Sequence, residues 1–180
     1  MNPAEEKTVL DSQAIDRALT RISHEIIERN SDTGELCIIG IQRRGVPLAN
    51  QIGECIKKFS DINVHIGELD ITKHRDDIGD PAILQTVSET VIDFPIHNKI
   101  VVLVDDVIYT GRTVRAAMDA LITLGRPSCI QLAVLIDRGH RELPIRGDYV
   151  GKNIPTSRSE RIKVNLPEID GKKDVSIIKL

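Results

Sequence analysis

Three short, largely apolar runs limit what this chain can fold into: ELCIIGI at 35–41, KIVVLV at 99–104 and CIQLAVLI at 129–136. Each is too short for a buried helix and is rich in β-branched residues, so each reads as a strand covered on both faces. The stretches between them carry a different period. Asp11 or Ser12 can cap a helix in which Ile15, Leu19, Ile22 and Ile26 recur at spacings of three and four, running to about Asn30. Pro47 opens a second helix over VPLANQIGECIKKF, and Arg112 to Leu124 forms a third that Gly125 closes. Buried strands alternating with helices predict an α/β domain with a mostly parallel central sheet flanked by helices. NVHIGELDI at 63–71 adds a strand, and short strands around 162–166 and 175–180 are expected to complete an edge. From Thr72 to about Asn98 the chain is polar, has two prolines and keeps no period, which fits a mobile arm. The expected organisation is therefore a single domain over 1–180 with a flexible arm at about 72–98.

Composition removes several function classes. No apolar run approaches the roughly 18 residues that a membrane helix needs. The N-terminus MNPAEEKTVL resembles no secretory signal, so the chain is expected in the cytoplasm. Cys37, Cys55 and Cys129 are odd in number, widely spaced and set in apolar stretches. They read as buried thiols rather than as a disulfide framework or a CxxC metal site. The net charge of −3 argues against a dedicated nucleic-acid binder, but the charge is segregated. Between Arg138 and Lys163 seven Lys/Arg face three acids, so a basic patch survives an acidic average. Phe59, Phe94, Tyr109 and Tyr149 are the only aromatics, too few for a surface that stacks successive bases.

Val101 to Thr113, VVLVDDVIYTGRT, carries the chemistry. A buried strand delivers Asp105 and Asp106 at its C-terminal end, where open α/β sheets bind ligands. Thr110-Gly111-Arg112-Thr113 then enters a helix, offering backbone N–H groups, two hydroxyls and a helix N-terminus to an anion. Carboxylates that accept hydrogen bonds from vicinal hydroxyls, beside a phosphate cradle, suit a phosphorylated sugar. Two plainer readings stand at this point: an aspartate pair capping a helix before a turn, or a pair holding Mg²⁺ as in a receiver domain. A Walker A loop is absent. Gly40-Ile41-Gln42-Arg43-Arg44-Gly45 ends the first apolar strand with two guanidiniums beside exposed backbone N–H groups, a pattern suited to a diphosphate.

These 13 consecutive positions resemble the signature of type I phosphoribosyltransferases, which bind phosphoribosyl pyrophosphate (PRPP), and the Arg43–Arg44 loop resembles their pyrophosphate loop. DRGHRELPIRGDYVGKNIPTS at 137–157, the DDVIYTGRTVRAAMDAL stretch and LTRISHEIIERN near the N-terminus closely resemble one branch of that family: PyrR, pyrimidine operon attenuators that are also uracil phosphoribosyltransferases. Similarity extends over nearly the whole chain and is weakest in the 72–98 arm and the C-terminal tail; Arg43 departs from the smaller or different polar residue expected there. The resemblance implies the type I phosphoribosyltransferase fold and transfer of ribose 5-phosphate from PRPP, with Mg²⁺, to uracil, giving UMP and diphosphate. By the same resemblance Asp105 and Asp106 are catalytic, stabilising a ribosyl cation. Arg43, Arg44, Asp105, Asp106, Val107, Ile108, Tyr109, Thr110, Gly111, Arg112 and Thr113 bind PRPP or UMP. Asp137, Arg138, Tyr149 and Val150 surround the nucleobase, Tyr149 by stacking and Val150 through its backbone; no protein metal ligand is assigned.

The resemblance also gives the basic segment a partner, the leader mRNA of the pyrimidine operon. Arg141, Arg146 and Lys152, with His140 and with Thr20, Arg21, His24 and Arg29 of the first helix, are the RNA-binding candidates. Read alone, the residues of the first helix are a solvated amphipathic face and His140 a surface histidine. Uridine nucleotides (UMP or UTP) are expected to act as effectors, and the chain to form a homodimer or a larger homo-oligomer. Two alternatives remain at this level: a salvage enzyme for another nucleobase such as hypoxanthine, and an RNA-binding sensor without meaningful catalysis.

Overall fold

A computed structural model describes residues 6–75 and 89–179. The middle of the arm expected at about 72–98, residues 76–88, lies outside the described residues; of its flanks, Thr72–His74 form one 3-10 turn, and Val91 makes an antiparallel bridge to Glu68.

Helix α1 (Ser12–Arg29) starts where expected, with the Asp11 side chain accepting from the Ala14 N–H. It follows a short strand, β1 (Glu6–Leu10), that the sequence pattern does not announce. Strand β2 (Glu35–Ile41) leads into helix α2 (Gly45–Phe59), which begins at Gly45, ahead of Pro47. Strands β3 (Asn63–Leu69), β4 (Ile100–Ile108), β5 (Cys129–Asp137) and β6 (Tyr149–Asn153) complete a five-stranded sheet of order β3-β2-β4-β5-β6, parallel throughout. Helix α3 (Arg112–Leu124) joins β4 to β5.

Side chains alternate across the sheet, so its two faces form separate cores. Ile38, Val102, Val104, Ala133 and Leu135 pack under α1 and α2. Cys37, Ile39, Val101, Leu103, Leu132 and Val134 pack under Val114, Ala117 and Leu121 of α3, which share one helix face.

Three expectations are corrected. The strands near 162–166 and 175–180 do not extend the main sheet. They are β7 (Glu160–Asn165) and β8 (Asp174–Lys179), joined by a short helix α4 (Pro167–Asp170), and with β1 they make a second, antiparallel sheet of order β1-β8-β7. Their alternating pattern matches an antiparallel pair with one face covered, and β1 supplies the outer strand. Second, β4 does not stop at Val104 but runs through both aspartates to Ile108, because β5 pairs with it as far as Ile108–Asp137. Third, only Cys37 is buried, its thiol pushed up to about 11 by burial; Cys129 is exposed at the start of β5, and Cys55 is intermediate.

Candidate active site and basic surface

Two close backbone approaches build the site at the C-terminal ends of β2 and β4. A Cβ added at Gly45 would lie 2.2 Å from the Val104 carbonyl oxygen, and one at Gly40 would lie 2.6 Å from the Gly45 carbonyl oxygen. Only glycine permits these contacts, and they bring the 42–44 loop and the start of α2 against the end of β4. The peptide between Gln42 and Arg43 in this loop is cis.

Asp105 and Asp106 point to opposite faces of β4. Asp105 is buried on the α3 face and accepts from the Asp106 N–H at 2.9 Å. Burial, and then the neighbouring Asp106 charge, push its carboxyl well above the ordinary carboxylate range. Asp106 accepts from the Val107 N–H at 2.8 Å; burial raises it too, opposed by that hydrogen bond and by the Arg44 charge. A buried acid pair with raised affinity for protons is a place where hydroxyl donors or a cation are welcome.

On the Asp105 side, Val107 to Val114 line a cavity of about 280 Å³ together with Arg75. Gly111 has φ of 92°, a left-handed conformation that favours glycine and turns the chain into α3. At the start of α3 the Arg112 N–H donates to Thr110 Oγ1 at 3.3 Å, and Arg112, Thr113 and Val114 of this first turn line the cavity at the positive end of the helix. The loop is braced from behind. The Thr110 carbonyl accepts from the Glu142 and Leu143 N–H groups at 3.0 and 3.2 Å, and Arg112 Nε donates to Glu142 at 3.1 Å. Thr110 to Thr113, grouped together from sequence, line this one cavity; Arg75, which no local pattern marks, joins them.

On the Asp106 side a cavity of about 340 Å³ is lined by Arg44, Arg161, Lys163 and the apolar residues of β7 and β8 between them. The Arg44 guanidinium does not project freely as expected. Its Nε donates to the Val164 carbonyl at 2.8 Å and its Nη2 to Asp170 at 2.9 Å, tying the loop to the antiparallel sheet. Arg43 is exposed.

The nucleobase candidates divide. Asp137 and Val150 line a recess of about 620 Å³ with Ile108, Tyr109, His140, Arg141, Arg146 and Asn153. Tyr149 does not: it is adjacent to Val150 on β6, so it faces the other side of the sheet, 3% exposed in the core under α1. Its hydroxyl donates to Gln131 Oε1 at 2.7 Å and accepts from Asn30 Nδ2 at 3.3 Å. Stacking of Tyr149 on a base is thereby overturned. The aromatic ring beside the recess belongs to Tyr109. Arg138, also expected at the base, is buried; its guanidinium donates to Thr156, Ser157 and Glu160 and lies over the Tyr109 ring.

Of the RNA candidates on α1, Arg21 and Arg29 reach β6 and the loop that precedes it. Arg21 Nη2 donates to the Gly151 and Val150 carbonyls at 2.6 and 3.2 Å, beside Lys152. Arg29 pairs with Asp148 at 2.8 Å, two residues beyond Arg146. Thr20 is exposed and donates to the Asp16 carbonyl, and His24 packs beside Phe59. Arg141, Arg146 and Lys152 are exposed; the His140 ring turns toward Tyr109, its Nε2 bonded to the Thr156 carbonyl.

Comparison with known proteins places this geometry in context. Residues 5–168 match the model of the phosphoribosyl transferase domain. The chain is 59% identical over 174 residues to the "Bifunctional protein PyrR" of Pelotomaculum thermopropionicum, covering 97% of this chain and 96% of that protein. To the protein of the same name from Clostridioides difficile it is 57% identical over 173 residues, covering 96% and 98%. Among solved structures, the hypoxanthine phosphoribosyltransferase of Trypanosoma cruzi in a ternary substrates complex aligns with a TM-score of 0.76 at 16% identity, covering 98% of this chain and 96% of that one. At that identity the likeness speaks for the fold alone: the type I phosphoribosyltransferase architecture expected from sequence.

Proposed function

The chain belongs to the phosphoribosyl transferase family, in its PyrR branch, and from that membership we propose how its site works. It is an RNA-binding regulator of pyrimidine operon transcription, acting by attenuation in response to uridine nucleotides, and a uracil phosphoribosyltransferase. The observation that carries the enzymatic half is the acid pair, Asp105 and Asp106, beside the Thr110–Thr113 cradle.

The cradle holds the 5′-phosphate of PRPP or UMP through backbone N–H groups and the α3 N-terminus. The aspartates take the ribose hydroxyls and favour positive charge on the ring. In transfer, uracil N1 bonds to ribose C1′ as the bond from C1′ to the diphosphate oxygen breaks, and the N1 proton is released. Tyr109 and Asp137 border the side on which the base enters.

Mg²⁺ comes with PRPP in this reading. The charge-poor acid pair fits a cation shared with substrate oxygens, and Mg²⁺ is commonly bound by one or two carboxylates plus phosphates. It would neutralise the departing diphosphate; because the two carboxylates face opposite sides of β4, Asp105 or Asp106, rather than both, would be the residue to meet it. The chain works in the cytoplasm, as a homodimer or larger homo-oligomer.

Leader RNA meets the β6 edge and the 139–147 loop, where Arg21, Arg29, Arg141, Arg146 and Lys152 adjoin. The test is one set of titrations: affinity for the leader RNA with and without UMP, alongside uracil transfer from PRPP. UMP should tighten RNA binding, and RNA should tighten UMP binding by the same factor. No change in RNA affinity with UMP overturns the regulator; no transfer of ribose phosphate to uracil overturns the enzyme.

A further inference from the structure

We propose that Arg138 is a positioning residue that fixes the Tyr109 ring as a specificity-determining wall of the nucleotide site; this rests on the transferase reading above. Tyr109 lies between the two cavities on the α3 side, lining both the phosphate cradle and the 620 Å³ recess beside Asp137. Its ring is more than a third exposed, so its own burial does not hold it in place.

Arg138 does. Its guanidinium carbon lies 4.0 Å from the ring centroid, well inside the range of a cation–π contact. The guanidinium is itself immobilised: Nε donates to Thr156 Oγ1 at 3.0 Å, and Nη2 to the Glu160 and Ser157 carbonyls at 2.8 and 3.3 Å. The rigid fork of arginine matches three acceptors at once, which a lysine ammonium on a flexible stem does not reproduce.

A second ring bears on Tyr109 from another side. His140 meets it edge-on at 5.9 Å and donates through Nε2 to the Thr156 carbonyl. His140 has φ of 62°, an uncommon conformation for a residue other than glycine. Both neighbours of the Tyr109 ring are therefore anchored on Thr156, in the connector between β6 of the main sheet and β7 of the antiparallel sheet. The connector sets Arg138, Arg138 sets the ring, and the ring sets the passage from the ribose site to the base side.

The test is a double-mutant cycle on the full chain, with KM for uracil and for PRPP measured in wild type, Arg138→Lys, Tyr109→Leu and the double variant. Arg138→Lys should raise KM for uracil about tenfold while KM for PRPP stays within about twofold. The double variant should be no worse than Tyr109→Leu alone, since Arg138 acts through the ring. The Tyr109 ring-proton NMR signals of the ligand-free protein should shift in Arg138→Lys. Should that variant fail to fold, Thr156→Val removes one anchor of the guanidinium and is read by the same measurements. Multiplicative effects in the double variant, an unchanged KM for uracil or unmoved ring signals each overturn the proposal. If the wild-type chain transfers nothing to uracil, the transferase reading fails and the ligand-free ring signals still decide whether Arg138 holds Tyr109.

Discussion

At the end of β4 the chain makes a ligand site mainly from backbone, whereas at the end of β5 it makes one from side chains whose directions depend on the rest of the molecule. The β4 site consists of two adjacent aspartates, a left-handed glycine and a helix start within nine residues, 105–113. Apart from Arg75, what it offers an anion follows from local geometry. Around β5 and β6 the same kind of motif reading named four residues; two of them, Asp137 and Val150, reach the recess, while Arg138 and Tyr149 are held elsewhere. A motif whose chemistry is carried by N–H groups is a firmer guide than one carried by side chains on an edge strand.

The strongest way to break that contrast is at the acids. Replacing Asp105 and Asp106 together with Asn keeps shape and hydrogen-bonding capacity but removes the charge facing the ribosyl cation. Uracil transfer should fall by about a hundredfold or more, measured as kcat at saturating substrates, with the fold intact by circular dichroism. Turnover like wild type in the folded variant would remove the catalytic assignment. The same site gives a pH signature. The folded Asp105 carboxyl keeps its proton to higher pH than in the unfolded chain, so the native state binds more protons. Its contribution to stability is full below the unfolded carboxylate range and is lost as pH rises through the raised value. Asp105→Asn should therefore gain stability relative to wild type as pH rises above the ordinary carboxylate range, as read from thermal midpoints.

On the β6 side, Arg146→Gln should weaken leader-RNA binding by about 1–3 kcal/mol if the guanidinium reads a guanine edge, and should flatten the salt dependence if it meets phosphate. Uracil transfer should change little, and a parallel loss of both activities would show that the two regions are not separable. Gly111→Ala sharpens the backbone side of the comparison. The new Cβ would meet Leu143 and Ile145 at 3.5 Å, an ordinary contact, so the cost comes from the positive φ. About 1–2 kcal/mol of strain should lower the thermal midpoint by a few degrees and raise KM for PRPP.

The smallest expected effect falls on Tyr149. Tyr149→Phe removes the hydroxyl that bridges Gln131 and Asn30, but the two amides keep their bonds to each other, so the loss should be about 0.5–1.5 kcal/mol of stability, with KM for uracil unchanged. A rise in KM for uracil with unaltered stability would restore this residue to the base site.

Sequence alone determined the alternation of buried strands and helices, the extent of α1 and α3, the turn into α3 at 110–113 and the neighbouring acid pair, because each depends on periodicity, capping or turn chemistry within a few residues. Even there, its limits were set by pairing: β4 runs through the aspartates because β5 continues beside it to Asp137. Tertiary structure decided what no local window contains. Tyr149 and Val150 are neighbours in sequence, but strand alternation sends them to opposite faces, and which face meets α1 is a property of the assembled sheet. Arg44 is spent on Val164, 120 residues away, and Arg21 on Gly151, 130 residues away. The antiparallel sheet gains its third strand only because β1 and β8 meet from opposite ends of the chain. Side chains with several donors take whichever acceptors the fold brings within reach, and those acceptors are placed by packing rather than by their neighbours in sequence.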